Sequence, residues 1–125
     1  MRRIRITAGD VTATATLNES PTANEIWDAL PITARGNTWG DEIYFGIPVY
    51  LDEDADAQEV VDMGDLAFWP PGHAFCIFFG PTPMSRGNEI RPASAVNVLG
   101  QIEGDATVFT AVASGTEVVL ERIDE

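Results

Sequence analysis

The 125-residue chain reads as all-β: a closed antiparallel barrel of eight or nine short strands with one short helix, in a single domain spanning residues 1–125. Three observations predict this. Short runs of alternating apolar and polar residues recur along the chain, Gly- and Pro-rich turns separate them, and one central hairpin is apolar on both faces. Many short strands joined by tight turns expose many edges, and closure into a barrel removes them.

The first element is a hairpin. Ile4 and Ile6 alternate with Arg3 and Arg5, Gly9-Asp10 turns the chain, and Val11, Ala13, Ala15 and Leu17 alternate with Thr12, Thr14 and Thr16. Ser20-Pro21 then signals a helix start, the hydroxyl being able to cap a free amide and the proline ring being preset for the first turn. Ala23, Ile26, Trp27 and Leu30 fall on one stripe and Pro31 ends the helix, which is expected to lie across an open end of the barrel. A second hairpin runs from Ile32 through a turn at Gly36 to Gly40 and out along Asp41 to Tyr50. Residues 52–62 form an acidic loop with one helical turn expected at 57–61. Asp52, Asp54 and Asp56 resemble the opening of a calcium loop, but Ala57 replaces the required Gly and Met63 the closing Glu, so the loop is read as solvated.

The stretch from Gly64 to Pro83 holds four of the six Phe, one Trp, the only His and the only Cys. Asp65 to Trp69 is one strand, Pro70-Pro71-Gly72 a corner, and His73 to Phe79 the next strand. On that second strand His73, Phe75, Ile77 and Phe79 point one way while Ala74, Cys76 and Phe78 point the other. Such a strand needs two covers: the barrel lumen on one side, and a helix or a bound ligand on the other. Met84 to Pro92 is polar and turn-rich, the expected mobile loop. Three more strands are expected at Ala95–Ile102, Ala106–Ala113 and Glu117–Ile123, for eight or nine in all.

Composition bounds the function. Twenty acids against seven bases give a formal net charge of −13, and every base is Arg. Nucleic acid is disfavoured as a partner, because such a surface repels a polyanion. Self-repulsion of this size weakens a compact fold at low ionic strength, whereas in molar salt the Debye length falls to ~3 Å, so a salt-loving source is expected. A single Cys excludes an internal disulfide, no N-terminal apolar run suggests secretion, and no window is long enough to span a bilayer, so a soluble cytoplasmic protein is expected, without membrane partners.

Trp39-Gly40-Asp41-Glu42-Ile43-Tyr44-Phe45, Gly64-Asp65 leading into Phe68-Trp69-Pro70-Pro71-Gly72, Phe75-Cys76-Ile77-Phe78-Phe79-Gly80-Pro81-Thr82-Pro83 and Asn97-Val98-Leu99-Gly100 resemble, in this order and over nearly the whole chain, the small prokaryotic cyclophilin-like barrels. The resemblance implies the eight-stranded closed barrel of the cyclophilin kind, with fewer helices. It also brings peptidyl-prolyl isomerisation and membership of an amide-hydrolysing complex into view, since that superfamily holds both. Where the isomerases carry Phe-His-Arg this chain has Ile32-Thr33-Ala34-Arg35, keeping only the Arg, so Arg35 is the catalytic candidate the resemblance implies.

From the residues themselves, Glu42 and Tyr44 share one face of their strand, and a carboxylate and a phenol project together. Trp39, Trp69 and Phe78 are candidates for a stacking floor, with His73 beside the Pro-Pro-Gly corner. Nucleophilic chemistry is not indicated, because His73 and Cys76 have opposite parity on one strand. One His and one Cys make no zinc site without carboxylates, and neither metal nor cofactor is expected. The preferred expectation is a module binding a peptide or small ligand in an aromatic groove. A weak prolyl isomerase using Arg35 is the alternative, and the amide-hydrolase subunit ranks below both.

Overall fold

A computed structural model of the chain describes residues 1–124. Nine strands form one antiparallel sheet: β1 (Arg3–Ala8), β2 (Val11–Leu17), β3 (Ile32–Arg35), β4 (Asn37–Thr38), β5 (Glu42–Gly46), β6 (Asp65–Trp69), β7 (Ala74–Phe78), β8 (Asn97–Ile102) and β9 (Glu117–Asp124). Their order is β3-β9-β1-β2-β8-β6-β7-β5-β4. The two ends of that order, β3 and β4, are separated in sequence only by Gly36. They act as one bent stave, its first half paired with β9 and its second with β5, so the nine strands make an eight-stave ring.

Gly36 is where the ring closes. Its amide donates to Thr116 O and its carbonyl accepts from Gly115 N, both at 2.8 Å. A Cβ here would stand 3.0 Å from Ile43 Cγ2 and 3.1 Å from Val118 Cγ2, one methyl from each flank of the seam. A side chain here would push on both methyls, so glycine lets β5 and β9 approach without displacement.

Helix α1 (Pro21–Ala29) forms as its signals require. Ser20 Oγ accepts from Ala23 N at 3.1 Å, Pro21 occupies the first turn, and the Leu30 amide donates to Trp27 O as the helix ends. Its stripe of Ala23, Ile26 and Trp27 joins Ile4, Ile6, Phe45, Phe68 and Phe75 in the lumen core, so the helix closes that core off from solvent. The Arg2 and Arg122 guanidinium carbons lie 5.2 and 5.0 Å from the centre of the Trp27 ring, and Arg122 also donates to Trp27 O.

Three expectations need correction. Residues 106–111 form a 3₁₀ helix (η2), not a strand: the Asp105 carboxylate accepts from Thr107 N at 2.9 Å, and Ala106 and Phe109, three apart, turn into the lumen core. The β-branched residues of Thr-Val-Phe-Thr-Ala-Val suggested a strand, but the cap and the three-residue spacing govern. The strand from residue 41 ends at Gly46 rather than Tyr50, although Ile47 and Val49 stay in the core. Residues 57–61 are not helical. Gln58 bridges to Val96 and Val61 to Ile90, so the end of the acidic loop runs extended against the outer wall.

The central hairpin has two covers. Phe75 and Ile77 belong to the lumen core with Leu66 and Phe68. On the outer face Ala67, Ala74, Cys76 and Phe78 form a second core with Val61, Ile90 and Val96, so the outer cover is chain from the two loops. The stretch from Met84 to Pro92, expected to be mobile, is fastened to the turn before it. Thr82 Oγ1 donates to Arg91 O and accepts from Met84 N, while Ser85 Oγ accepts from Thr82 N and Arg91 N.

Candidate functional site

The loop roof leaves one part of the outer wall open. A cavity of about 280 Å³ is lined there by Trp39, Glu42, Tyr44, Trp69, Cys76, Pro92, Ala93 and Val96. Strand register explains why these side chains meet. Tyr44 lies opposite Cys76 across β5 and β7, Cys76 lies opposite Ala67 across β7 and β6, and Trp69 lies opposite Ala74. Residues 42 and 44 share parity with those neighbours and face outward, while Ile43 and Phe45 between them face the lumen.

The aromatic walls are held from behind. Trp69 Nε1 donates to Ser94 Oγ at 2.7 Å, tying the ring to the segment that carries Pro92 and Ala93. Its six-membered ring lies over Gly72, where a Cβ would come within 2.7 Å of it, so the Pro70–Gly72 3₁₀ turn must end in glycine for the indole to lie down. Trp39 follows β4, with its amide donating to Glu42 O at 2.9 Å, so a tight turn sets Trp39 beside Glu42.

Glu42 stands apart from the other fully buried polar residues; only the half-buried His73 shares an unpartnered buried atom. Thr22, Asp65, Thr82 and Asn97 each have hydrogen-bond partners; Asn97 alone donates to Thr22 Oγ1 and Asp52 O and accepts from Asp54 N. Glu42 is 5 % exposed, yet its Oε1 has no partner. Burial pushes its carboxyl up to about 7, opposed only by the neighbouring Cys76 thiol. The Cys76 thiol is in turn pushed well above its ordinary range, by burial first and then by the Glu42 charge. It donates a long contact, 3.8 Å, to Ala74 O. A protonated, buried thiol is a poor nucleophile. The cavity can therefore offer aromatic faces and one carboxyl group that is either a donor or an anion near neutral pH.

Four of the residues singled out from sequence, Trp39, Glu42, Tyr44 and Trp69, share this cavity. The other three lie elsewhere. Arg35 is exposed at the end of β3, its Nη1 donating to Gly115 O at 2.9 Å. His73 adopts a left-handed backbone, φ 48°, at the end of the 3₁₀ turn, with its ring 4.5 Å from that of Tyr50 and its Nδ1 buried without a partner. Phe78 faces outward as expected, but it is fully buried under the loop roof and has no surface to offer. Cys76, Pro92, Ala93 and Val96 were not anticipated as lining. The parity of Cys76 with Phe78 placed it on this wall, but nothing local in Pro92-Ala93 or Val96 announces which wall they will cover. Among the described residues no group of three or more His, Cys, Asp or Glu is arranged to hold a metal ion.

Fold and cavity together define a closed antiparallel barrel with an aromatic, carboxyl-bearing hollow on its outer wall. The profile of the family described as Cyclophilin-like matches residues 2–121, and the chain belongs to that family. No curated protein matches it. Among solved structures it is similar to the hypothetical protein AF2241 from Archaeoglobus fulgidus, solved in solution, with 43 % identity and a TM-score of 0.82 over 98 % of this chain and 95 % of that one.

Proposed function

We propose that this cyclophilin-like barrel is a binding module whose ligand, a small molecule or a single side chain of a peptide, enters the cavity beside Glu42. The observation that carries this reading is a carboxyl group 5 % exposed, with an unpartnered oxygen, in a wall otherwise built of rings and small apolar groups. Folded proteins rarely leave such a group unpaired, because burial without a partner costs about 1–3 kcal/mol. A ligand supplying that partner turns the cost into affinity. About 280 Å³ sits at the small end of ligand sites and suits a compact head group better than an extended peptide. Backbone amide NMR with a library of fragments tests the reading: hits shift Glu42, Tyr44 and Trp69, and Ala93→Trp, which fills the mouth from an exposed position, removes them. A library giving no shifts in that region would end it.

Prolyl isomerisation is the weaker reading, because no Arg lines the cavity and the Arg35 guanidinium is engaged with Gly115 O. Exchange NMR on a proline peptide that showed line broadening, lost in Arg35→Ala, would reverse this order. We place the module in a salt-rich cytoplasm on the strength of its net charge of −13 and its single Cys, which is free and buried. Among the described residues no helix is long and apolar enough to cross a membrane.

A further inference from the structure

We propose that the ligand of this cavity is a small organic cation, a quaternary or methylated ammonium, held by the faces of Trp39, Tyr44 and Trp69 and by the Glu42 carboxylate. The inference rests on the binding reading above and goes further by naming the chemical class.

Three features select this class. First, the cavity contains an acid and no base: no Arg lines it and the chain has no Lys, so the protein supplies no cation for Glu42. A buried acid is either protonated or paired, and when Glu42 ionises only a ligand can bring the counter-charge. Second, three of the eight lining residues are Trp, Trp and Tyr, whose ring faces attract a cation most strongly where water is excluded. Third, the lining is poor in hydrogen-bonding groups. The Trp69 N–H is already used by Ser94, and Cys76, Pro92, Ala93 and Val96 offer little, which leaves the Tyr44 hydroxyl, the Trp39 N–H and the Glu42 carboxyl. A sugar or nucleotide carries more polar groups than these three can meet, and a carboxylic acid would face Glu42. A quaternary ammonium has no N–H to satisfy and pairs with Glu42 by charge, while a methylated ammonium that keeps an N–H can donate it to Glu42 Oε1. Either needs diffuse negative potential and apolar contact, which rings and a carboxylate give together.

Protonation follows from the same geometry. The titratable groups on the cavity wall beside Glu42 are Tyr44 on β5 and Cys76 on β7; Trp69 of β6 and the Pro92, Ala93 and Val96 of the roof do not titrate. Burial holds the Glu42 carboxyl at about 7 in the empty cavity and keeps Cys76 a thiol. A bound cation favours the carboxylate, so binding releases a proton and tightens as pH rises through that value.

The probes are choline and its uncharged isostere 3,3-dimethylbutan-1-ol, titrated against the full chain in ~2 M sodium chloride, where a buried contact is screened far less than a surface one. Trp fluorescence and calorimetry follow binding. Choline is expected to bind about tenfold or more tightly than the alcohol, and to tighten between about pH 6 and about pH 8. Glu42→Gln, which keeps the shape and removes the charge, is expected to weaken choline by about tenfold and leave the alcohol nearly unchanged. Trp39→Leu, at a half-exposed position, is expected to weaken choline more than the alcohol. If the alcohol binds as well as choline, or Glu42→Gln retains choline, the cation class is wrong while the cavity remains a binding site. If neither probe binds and the fragment library also leaves the cavity untouched, the binding reading falls and takes this inference with it.

Discussion

At the scale of single residues, Glu42 concentrates what is unusual here. A buried acid raised from an ordinary 4.5 to about 7 favours its protonated form in the folded state. The fold is therefore not penalised below about pH 4.5. The penalty grows as pH climbs between the two values and is complete above about 7, where it amounts to roughly 3 kcal/mol at most. Comparing Glu42→Gln with the parent by urea denaturation across this range isolates the effect, because the other acids cancel. The variant should gain up to about 3 kcal/mol on the parent between pH ~4 and pH ~8. Parallel stability curves would mean that the carboxylate finds a partner after all. That Glu42 and Tyr44 face the same way was legible from strand parity alone. The missing partner was not, because it depends on Arg35 ending up beside Gly115 and on an apolar segment, Pro92 to Val96, arriving from far along the chain.

At the scale of elements, local chemistry explains most of what could be read in advance. The Ser20 cap, the Pro21 start, the first hairpin and the two-faced β6–β7 hairpin all follow from patterns within a few residues, and all are present. The failures share a cause: tertiary packing overrides propensity. Residues 106–111 carry β-formers yet coil as a 3₁₀ turn, because Asp105 caps them and Phe109 packs 6.2 Å from Phe79 across the lumen core. Turn-rich residues 82–91 are tied down by Thr82 and Ser85 because they roof an apolar wall. Gly36 is the sharpest case, since a glycine read as part of a turn is the seam of the barrel. Gly36→Val should cost about 1–3 kcal/mol, because Ile43 and Val118 would have to part to make room. An unchanged denaturation midpoint would show that the seam has slack and that β3 and β4 are independent strands.

At the scale of the whole molecule, charge decides where the protein is stable. The twenty acids face seven Arg, and among the described residues only three ion pairs form: Arg3 with Glu103 and Asp124, and Arg91 with Glu89. The two Arg3 contacts, at 2.9 and 2.6 Å, strap the first strand to the last and to the turn after β8. They are partly exposed and worth little each, so they do not offset a net charge of −13. The remaining acids repel one another across the folded barrel, and repulsion acts on the folded state more than on the extended chain. Raising salt from ~0.05 M to ~2 M shortens the Debye length from more than 10 Å to about 3 Å or less, so thermal stability followed by circular dichroism should rise with salt, and on a surface adapted to concentrated salt the rise should continue to ~2 M. Simple screening acts mostly at the low end of this range, since the Debye length has already fallen to about 8 Å at ~0.15 M. A rise that continues to ~2 M therefore marks a surface adapted to concentrated salt, and equal stability at the two extremes would show that the acidic surface serves some other purpose.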